Sequence, residues 1–307
     1  MTKTKANFLV LLAALIYGSY FIVLKLVSDM GASPAFITLC RGILFLIAAT
    51  AFLGRGIKTF TRKEFLLGSV IGILNFAGFF FQALGSKYSA PANNAFLTCL
   101  NTVFVPFFAW IIYKKKPSVR CCISLPVALI GMALLTGILT SSFSLGIGDA
   151  FSIACAVVFA VVIVLLGNVN IDFKKLLFLM AAWQTIGGLS LFGAQDKFVL
   201  PQINWLHAVL CLLYIGLVAS FLATAIQTFA QKHTSETSTV MILALESVFA
   251  CIISIAAGLD KFSLPLLFGG LLIILAVVFL IIDFSIFKRK PKPTLSEPAS
   301  NDDVLIE

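Results

Sequence analysis

Apolar runs of about twenty residues recur along the chain, each broken by a charge cluster or by a Gly, Pro, Asn or Asp turn. A helix rises about 1.5 Å per residue, so about 20 apolar residues cross a hydrocarbon core of about 30 Å. The runs predict ten such helices, over 7–27, 34–53, 65–85, 91–113, 119–139, 149–167, 175–193, 206–230, 237–257 and 263–283. The connectors are short and leave no room for a soluble domain. The polar tail from Lys288 to Glu307 reads as disordered from its Pro, Ser and acidic content. Lys3 and Lys5 precede the first run as in a secretory signal. No small-residue cleavage site follows, and Lys25 and Asp29 stand where one belongs, so the run is read as a retained helix.

Composition sharpens this picture. Hydrophobic residues make up 60% of the 307 positions, charged residues 11%, and Phe alone fills 30, for a mean hydropathy of +1.08. A soluble domain carries about 25% charge, so a water-soluble enzyme, a disordered chain and a coiled coil are excluded. Of the 22 Lys and Arg, Lys25 and Arg41 fall inside predicted helices. With the N-terminus inside, Lys87, Lys197 and Lys261 face out and the other seventeen face in. Basic residues favour the cytoplasmic side, which places both termini in the cytoplasm of a plasma or inner membrane protein. The net charge of +9 is then a topology signal, drawn to anionic lipid, and calls for no nucleic-acid partner. Seven scattered Cys with no C-x-x-C spacing, and only two His, predict no metal site and no cofactor.

An internal repeat organises the chain. A shift of 145 residues lays Phe76, Gln82, Lys87, Val103 and Phe104 on Phe221, Gln227, Lys232, Val248 and Phe249, with Ser89 on Thr234 and Asn101 on Glu246. The expected fold is therefore all-α and polytopic, ten transmembrane helices as two five-helix repeats over 6–140 and 148–283, followed by a cytoplasmic tail, 284–307. Five is odd, so the second repeat enters the membrane from the opposite side: Lys87 falls outside and Lys232 inside. Inverted repeats exchange conformations around a central site, which is the basis of alternating access. A weaker alignment of the seventh helix on the second sets Gln184 against Arg41.

Tyr17-Gly18-Ser19 with Lys25, then Arg41, Ala83-Leu84 through Lys87-Tyr88-Ser89-Ala90, and Leu245-Glu246-Ser247-Val248-Phe249-Ala250 resemble the EamA-domain pattern of the drug/metabolite transporter superfamily over residues 6–283. The chain departs from that pattern at Tyr17, where the family often has Trp, and at Thr102 and Ser247, where it often has Pro. The resemblance implies a ten-helix secondary carrier, in many members an exporter of amino acids or other small metabolites.

A charge at the bilayer centre costs about 2.5–3.5 kcal/mol on insertion scales, which marks intramembrane ionisable residues as functional candidates. Glu246 lies about 15 Å into the ninth helix at 1.5 Å per residue. It is a candidate for binding a substrate amine or for carrying a coupling proton, against a fixed pairing that merely locks two helices. Arg41 offers a planar fork suited to a substrate carboxylate, against pairing with backbone or an acid. Lys25 snorkels to the headgroups. Gln82, Gln227 and Asn101 are further substrate-binding candidates, with Tyr17 and Trp183 as aromatic walls. Asn93 and Asn94 add hydrogen-bonding capacity, and Tyr20 a further ring. Gly68-x-x-x-Gly72 predicts close helix packing, and Thr61-x-x-Glu64 a capping box.

The expected activity is movement of small organic metabolites, amino acids or related solutes, outward across the bilayer by alternating access, with a proton or a counter-solute as the candidate coupling partner. A channel-like facilitator and a carrier of nucleotide-like, phosphorylated or drug-like solutes are the alternatives. No P-loop, H-E-x-x-H or G-x-S-x-G occurs, which argues against an enzyme and against direct ATP drive.

Overall fold

The computed structural model describes residues 1–54, 59–89, 91–138, 146–259 and 261–281. Arg55, Lys58, the side chains of Lys87 and Asn93, and the tail from Lys288 onward lie outside the described residues. Among the described residues ten helices are long and apolar enough to cross a membrane, as the hydropathy pattern predicts. The first three spans are α1 (Lys3–Asp29), α2 (Pro34–Leu53) and α3 (Arg62–Tyr88). The fourth comprises α4 (Pro91–Thr98) and α5 (Asn101–Tyr113), and the fifth is α6 (Val119–Thr136). The sixth and seventh are α7 (Ile147–Asn168) and α8 (Phe173–Asp196). The eighth runs from α9 (Trp205–Leu213) through a π-helical segment, Tyr214–Leu222, to α10 (Ala223–Gln231). The ninth comprises α11 (Glu236–Leu243) and α12 (Leu245–Ala256), and the tenth is α13 (Leu264–Ile281).

Local chemistry sets the helix starts. Ser33 caps α2 by accepting from Phe36 N at 3.0 Å, with Pro34 at the first position where no donor is needed. At α3 the capping box forms: Glu64 N donates to Thr61 Oγ1 at 3.2 Å, and Thr61 N donates to Glu64 Oε2 at 2.9 Å.

Three spans that hydropathy treats as continuous are interrupted. The fourth breaks at Cys99-Leu100, where Leu100 N, Thr102 N and Val103 N donate to carbonyls three residues back. The ninth breaks at Ala244, and Ser247 N donates to Ala244 O at 3.4 Å. Such tight turns inside a helix mark hinges. Leu100 and Leu245 stand 145 residues apart, so the two breaks are counterparts. They occur although Thr102 and Ser247 replace the prolines common in the family pattern.

The main helix contacts recur on exchange of the two halves. The second span packs along the seventh and the fifth along the tenth. The third-on-sixth contact matches the eighth on the first, the first on the ninth matches the sixth on the fourth, and the third on the seventh matches the eighth on the second. The two self-matched pairs close on reciprocal glycines. A methyl group at Gly42 would lie 2.9 Å from the Thr185 backbone, and one at Gly188 would lie 2.8 Å from Leu39 Cα. Gly131 and Gly269 meet each other's carbonyls at 2.8 and 2.6 Å in the same sense. A two-fold helix pair needs a small residue on each partner, because both surfaces approach the same axis. These contacts correct the weaker alignment: Gly42 faces Gln184-Thr185 while Gly188 faces Thr38-Leu39. Gly187, not Gln184, is therefore the counterpart of Arg41. Gly68 and Gly72 receive Leu179 and Trp183 of α8, so their close approach is internal to the chain.

Candidate functional site

The central cavity, of about 110 Å³, lies between the two halves. Six pairs of its lining residues stand 145 positions apart: Tyr17 and Val162, Phe21 and Leu166, Phe79 and Thr224, Gln82 and Gln227, Thr98 and Leu243, and Asn101 and Glu246. The cavity thus sits where the repeats face each other, and its frame is shared while its chemistry is not.

The hinges aim the polar groups. Asn101 opens α5 directly after one break, and Glu246 stands in the first turn of α12 after the other. The N-terminal end of a helix favours a negative charge. Glu246 has no hydrogen-bonding or ion-paired side-chain partner among the described residues, so the fixed pairing weighed against its functional role does not form. Gly18 lets α1 pass close to it: a methyl there would lie 2.7 Å from Glu246 O and from Phe249 Cβ. At the adjacent position of α1, Tyr17 OH donates to Gln227 Oε1 at 2.9 Å and lies 3.3 Å from Thr224 Oγ1.

Of the residues singled out by sequence, Glu246, Gln82, Gln227, Asn101 and Tyr17 line the cavity; Arg41 and Trp183 do not. Trp183 covers Gly72 of α3, one layer out. Arg41 is 5% exposed and sits behind the wall. Its Nε donates to Ser220 Oγ at 3.0 Å and its Nη1 to Tyr20 OH at 3.2 Å. Its guanidinium carbon lies 3.8 Å from the Phe79 ring centroid and 5.3 Å from that of Tyr20. Rings and hydroxyls thus support a cation that has no carboxylate partner among the described residues. The π-helical segment makes this possible, since Ser220 Oγ donates to Ile215 O five residues back and leaves its lone pair for Arg41. Such π segments recur at functional sites.

Lining residues that sequence reasoning passed over are Asn75, Phe79, Thr98, Phe159, Met180 and Thr224. Helical spacing signals several of them. Asn75, Phe79 and Gln82 follow at intervals of four and three along α3, Thr224 precedes Gln227 by three, and Thr98 precedes Asn101 by three.

The two ends of the bundle differ. At the end carrying the N-terminus, Lys115 Nζ donates to Glu236 Oε1 and to Asn168 Oδ1, both at 2.7 Å, and Asn168 Nδ2 donates to Glu236 Oε1 at 2.6 Å. Thr234 Oγ1 donates to Asn7 Oδ1 at 2.6 Å, and Gln231 to the Ile163 carbonyl. At the far end Ser152 Oγ donates to Asn94 Oδ1 at 2.7 Å, and Ser89 to Asp149. Ser89 and Ser152 are the counterparts of Thr234 and Asn7, so polar ties at these positions repeat, with different partners. The Lys115 triad does not, because Pro91 and Val23 stand where Glu236 and Asn168 have their counterparts. The seams differ in the same way. The sixth span, α7, closes on α10 and α11, whereas no comparable packing among the described residues joins α1 to α3 or α4. Phe21, 37% exposed, lines the cavity from α1. Lys25 pairs with Asp29 at 3.7 Å on an exposed surface.

Comparison with known proteins agrees with this architecture. A crystal structure with 18% identity superposes with a TM-score of 0.75, covering 91% of this chain and 96% of the other, which shows a shared fold. An uncharacterized transporter of Archaeoglobus fulgidus is 32% identical over 269 residues, 87% of this chain and 82% of the relative. An uncharacterized transporter of Clostridium kluyveri is 24% identical over 300 residues, 93% and 94% of the two chains. The profile of the EamA-like transporter family matches residues 4–137 and again 146–282. With both halves matched and the bundle built around one central cavity, the chain belongs to the EamA-like transporter family.

Proposed function

We propose that this multi-pass membrane transporter is a secondary carrier, which moves a small organic solute through the central cavity by alternating access between two inverted five-helix repeats, 6–140 and 148–283. The observation that carries the reading is the cavity itself. Six counterpart pairs line it and the main helix packing around it survives exchange of the halves, yet α7 packs on α10 and α11 where no comparable packing among the described residues joins α1 to α3 or α4. A symmetric frame caught in an asymmetric state has a second state of the same kind, with the seams interchanged. Five spans per repeat invert the second repeat, and the distribution of Lys and Arg puts both termini in the cytoplasm. The polar ties at the N-terminal end then bar the cytoplasmic side while the other seam admits solute, which favours a carrier over a channel.

Outward movement is part of the proposal and follows the export role that the EamA resemblance implies. Glu246 is the group proposed to take up a proton when the cavity is empty, so that a proton and the solute alternate on one carboxylate. Counterflow in proteoliposomes tests the reading. Vesicles preloaded with a transported solute accelerate its uptake from outside, and the rate saturates with concentration. Flux that neither saturates nor responds to preloading refutes the carrier.

A further inference from the structure

Resting on that carrier reading, we propose that the cavity selects an organic cation: an ammonium group on an apolar or aromatic body, without a carboxylate. Among the described lining residues the wall carries a single carboxylate, Glu246, and no Lys, Arg, His or Asp accompanies it. Glu246 has no side-chain partner among the described residues, so the cavity holds one acid awaiting a counter-charge. A buried charge is costly until it is paired, which makes an entering ammonium group its natural complement.

The residue suited to receive a carboxylate, Arg41, does not reach the cavity. Two of its nitrogens are held by Ser220 and Tyr20, and the Phe79 ring covers the guanidinium at 3.8 Å. A carboxylate entering the cavity therefore meets aromatic rings and neutral groups, with no cation among the described lining residues to pair with, whereas rings of this kind flank a cation favourably. An amino acid would have to bury its carboxylate among Phe79, Tyr20 and Phe159 with only neutral amides and hydroxyls for company. A monoamine avoids that cost, and its apolar body gains contact with the same rings.

The test uses three probes that share one ring and differ only in charge: phenethylamine, phenylalanine and 3-phenylpropionate. The full-length chain is reconstituted, and counterflow is measured with each. Phenethylamine is expected to drive counterflow, phenylalanine to need a concentration about tenfold higher or more, and 3-phenylpropionate to give none. Glu246→Asp should keep this ranking, and Glu246→Gln should raise the half-saturating phenethylamine concentration by about tenfold or more while the thermal unfolding midpoint in detergent stays close to the parent's. Equal movement of phenylalanine or 3-phenylpropionate overturns the proposal, and so does phenethylamine transport unchanged in Glu246→Gln. If no probe of the three moves but a sugar or nucleoside shows counterflow, the cation class falls and the carrier stands. If no solute shows counterflow, both fall.

Discussion

Replacing Lys115 by Met is expected to loosen the N-terminal end of the bundle while leaving every cavity residue in place. Lys115 Nζ donates two hydrogen bonds of 2.7 Å, to Glu236 and Asn168, and these join the fourth, sixth and ninth spans. Glu236 has a side chain only 7% exposed, whereas that of Lys115 is 51% exposed. A hydrogen bond to a charged group contributes about 1.5–3 kcal/mol, and water around the half-exposed ammonium discounts this to about 1–2 kcal/mol for the pairing. That is roughly a 5–30-fold change in the ratio of closed to open ends. Ala230, fully buried on α10 against Val10 and Ala14 of α1, supplies the reporter position. In a background freed of the seven native cysteines, Ala230→Cys is alkylated by a membrane-impermeant maleimide only when that end opens. The expected result is an alkylation rate higher by about 5–30-fold in Lys115→Met. An unchanged rate, with thermal stability lowered, would mean that the triad supports the fold without biasing the two states, and would refute the reasoning.

Three further outcomes follow from the site. Glu246→Gln should abolish the response of counterflow to an imposed pH gradient; a response of undiminished size removes Glu246 from coupling. Gly18→Ala places a methyl group 2.7 Å from Glu246 O, and overpacking of this kind costs about 1–3 kcal/mol. Thermal unfolding in detergent should shift downward accordingly, and an unshifted midpoint would show that α1 and α12 do not approach so closely. Ser220→Ala removes the acceptor of Arg41 Nε, so a stability loss of about 1–3 kcal/mol is expected in the same assay, and a neutral result would disprove the role assigned to the π-helical segment.

The ten spans were legible because a twenty-residue apolar run is a long signal that local packing cannot erase. The Thr61–Glu64 cap was legible for the opposite reason, being complete within four residues. The facing of Gln82 and Gln227 also followed from repetition alone. What escaped lies between these scales. The hinge positions Leu100 and Ala244 are neither Gly nor Pro, so contacts between spans rather than local propensity set the breaks. The widening at Tyr214–Leu222 leaves the hydropathy of the eighth span untouched. Depth along a helix placed Arg41 near the bilayer interior, but depth says nothing of which way a long side chain turns; here Phe79 and Tyr20 hold it behind the wall. Asn75, by contrast, was readable one face along from Gln82, at a helical interval of seven.

The unlike chemistry of counterpart positions has a consequence for how the two halves depend on each other. The guanidinium belongs to the first half, where its counterpart is Gly187, and the carboxylate to the second, where its counterpart is Asn101. Pairing two copies of the first half would assemble a cavity with two arginines behind its walls and no acid. Two copies of the second would bring together two carboxylates and nothing to offset their repulsion. Each half has become a specialist that is complete only beside the other, so expressing the halves as separate chains should restore a working cavity only when both are made together.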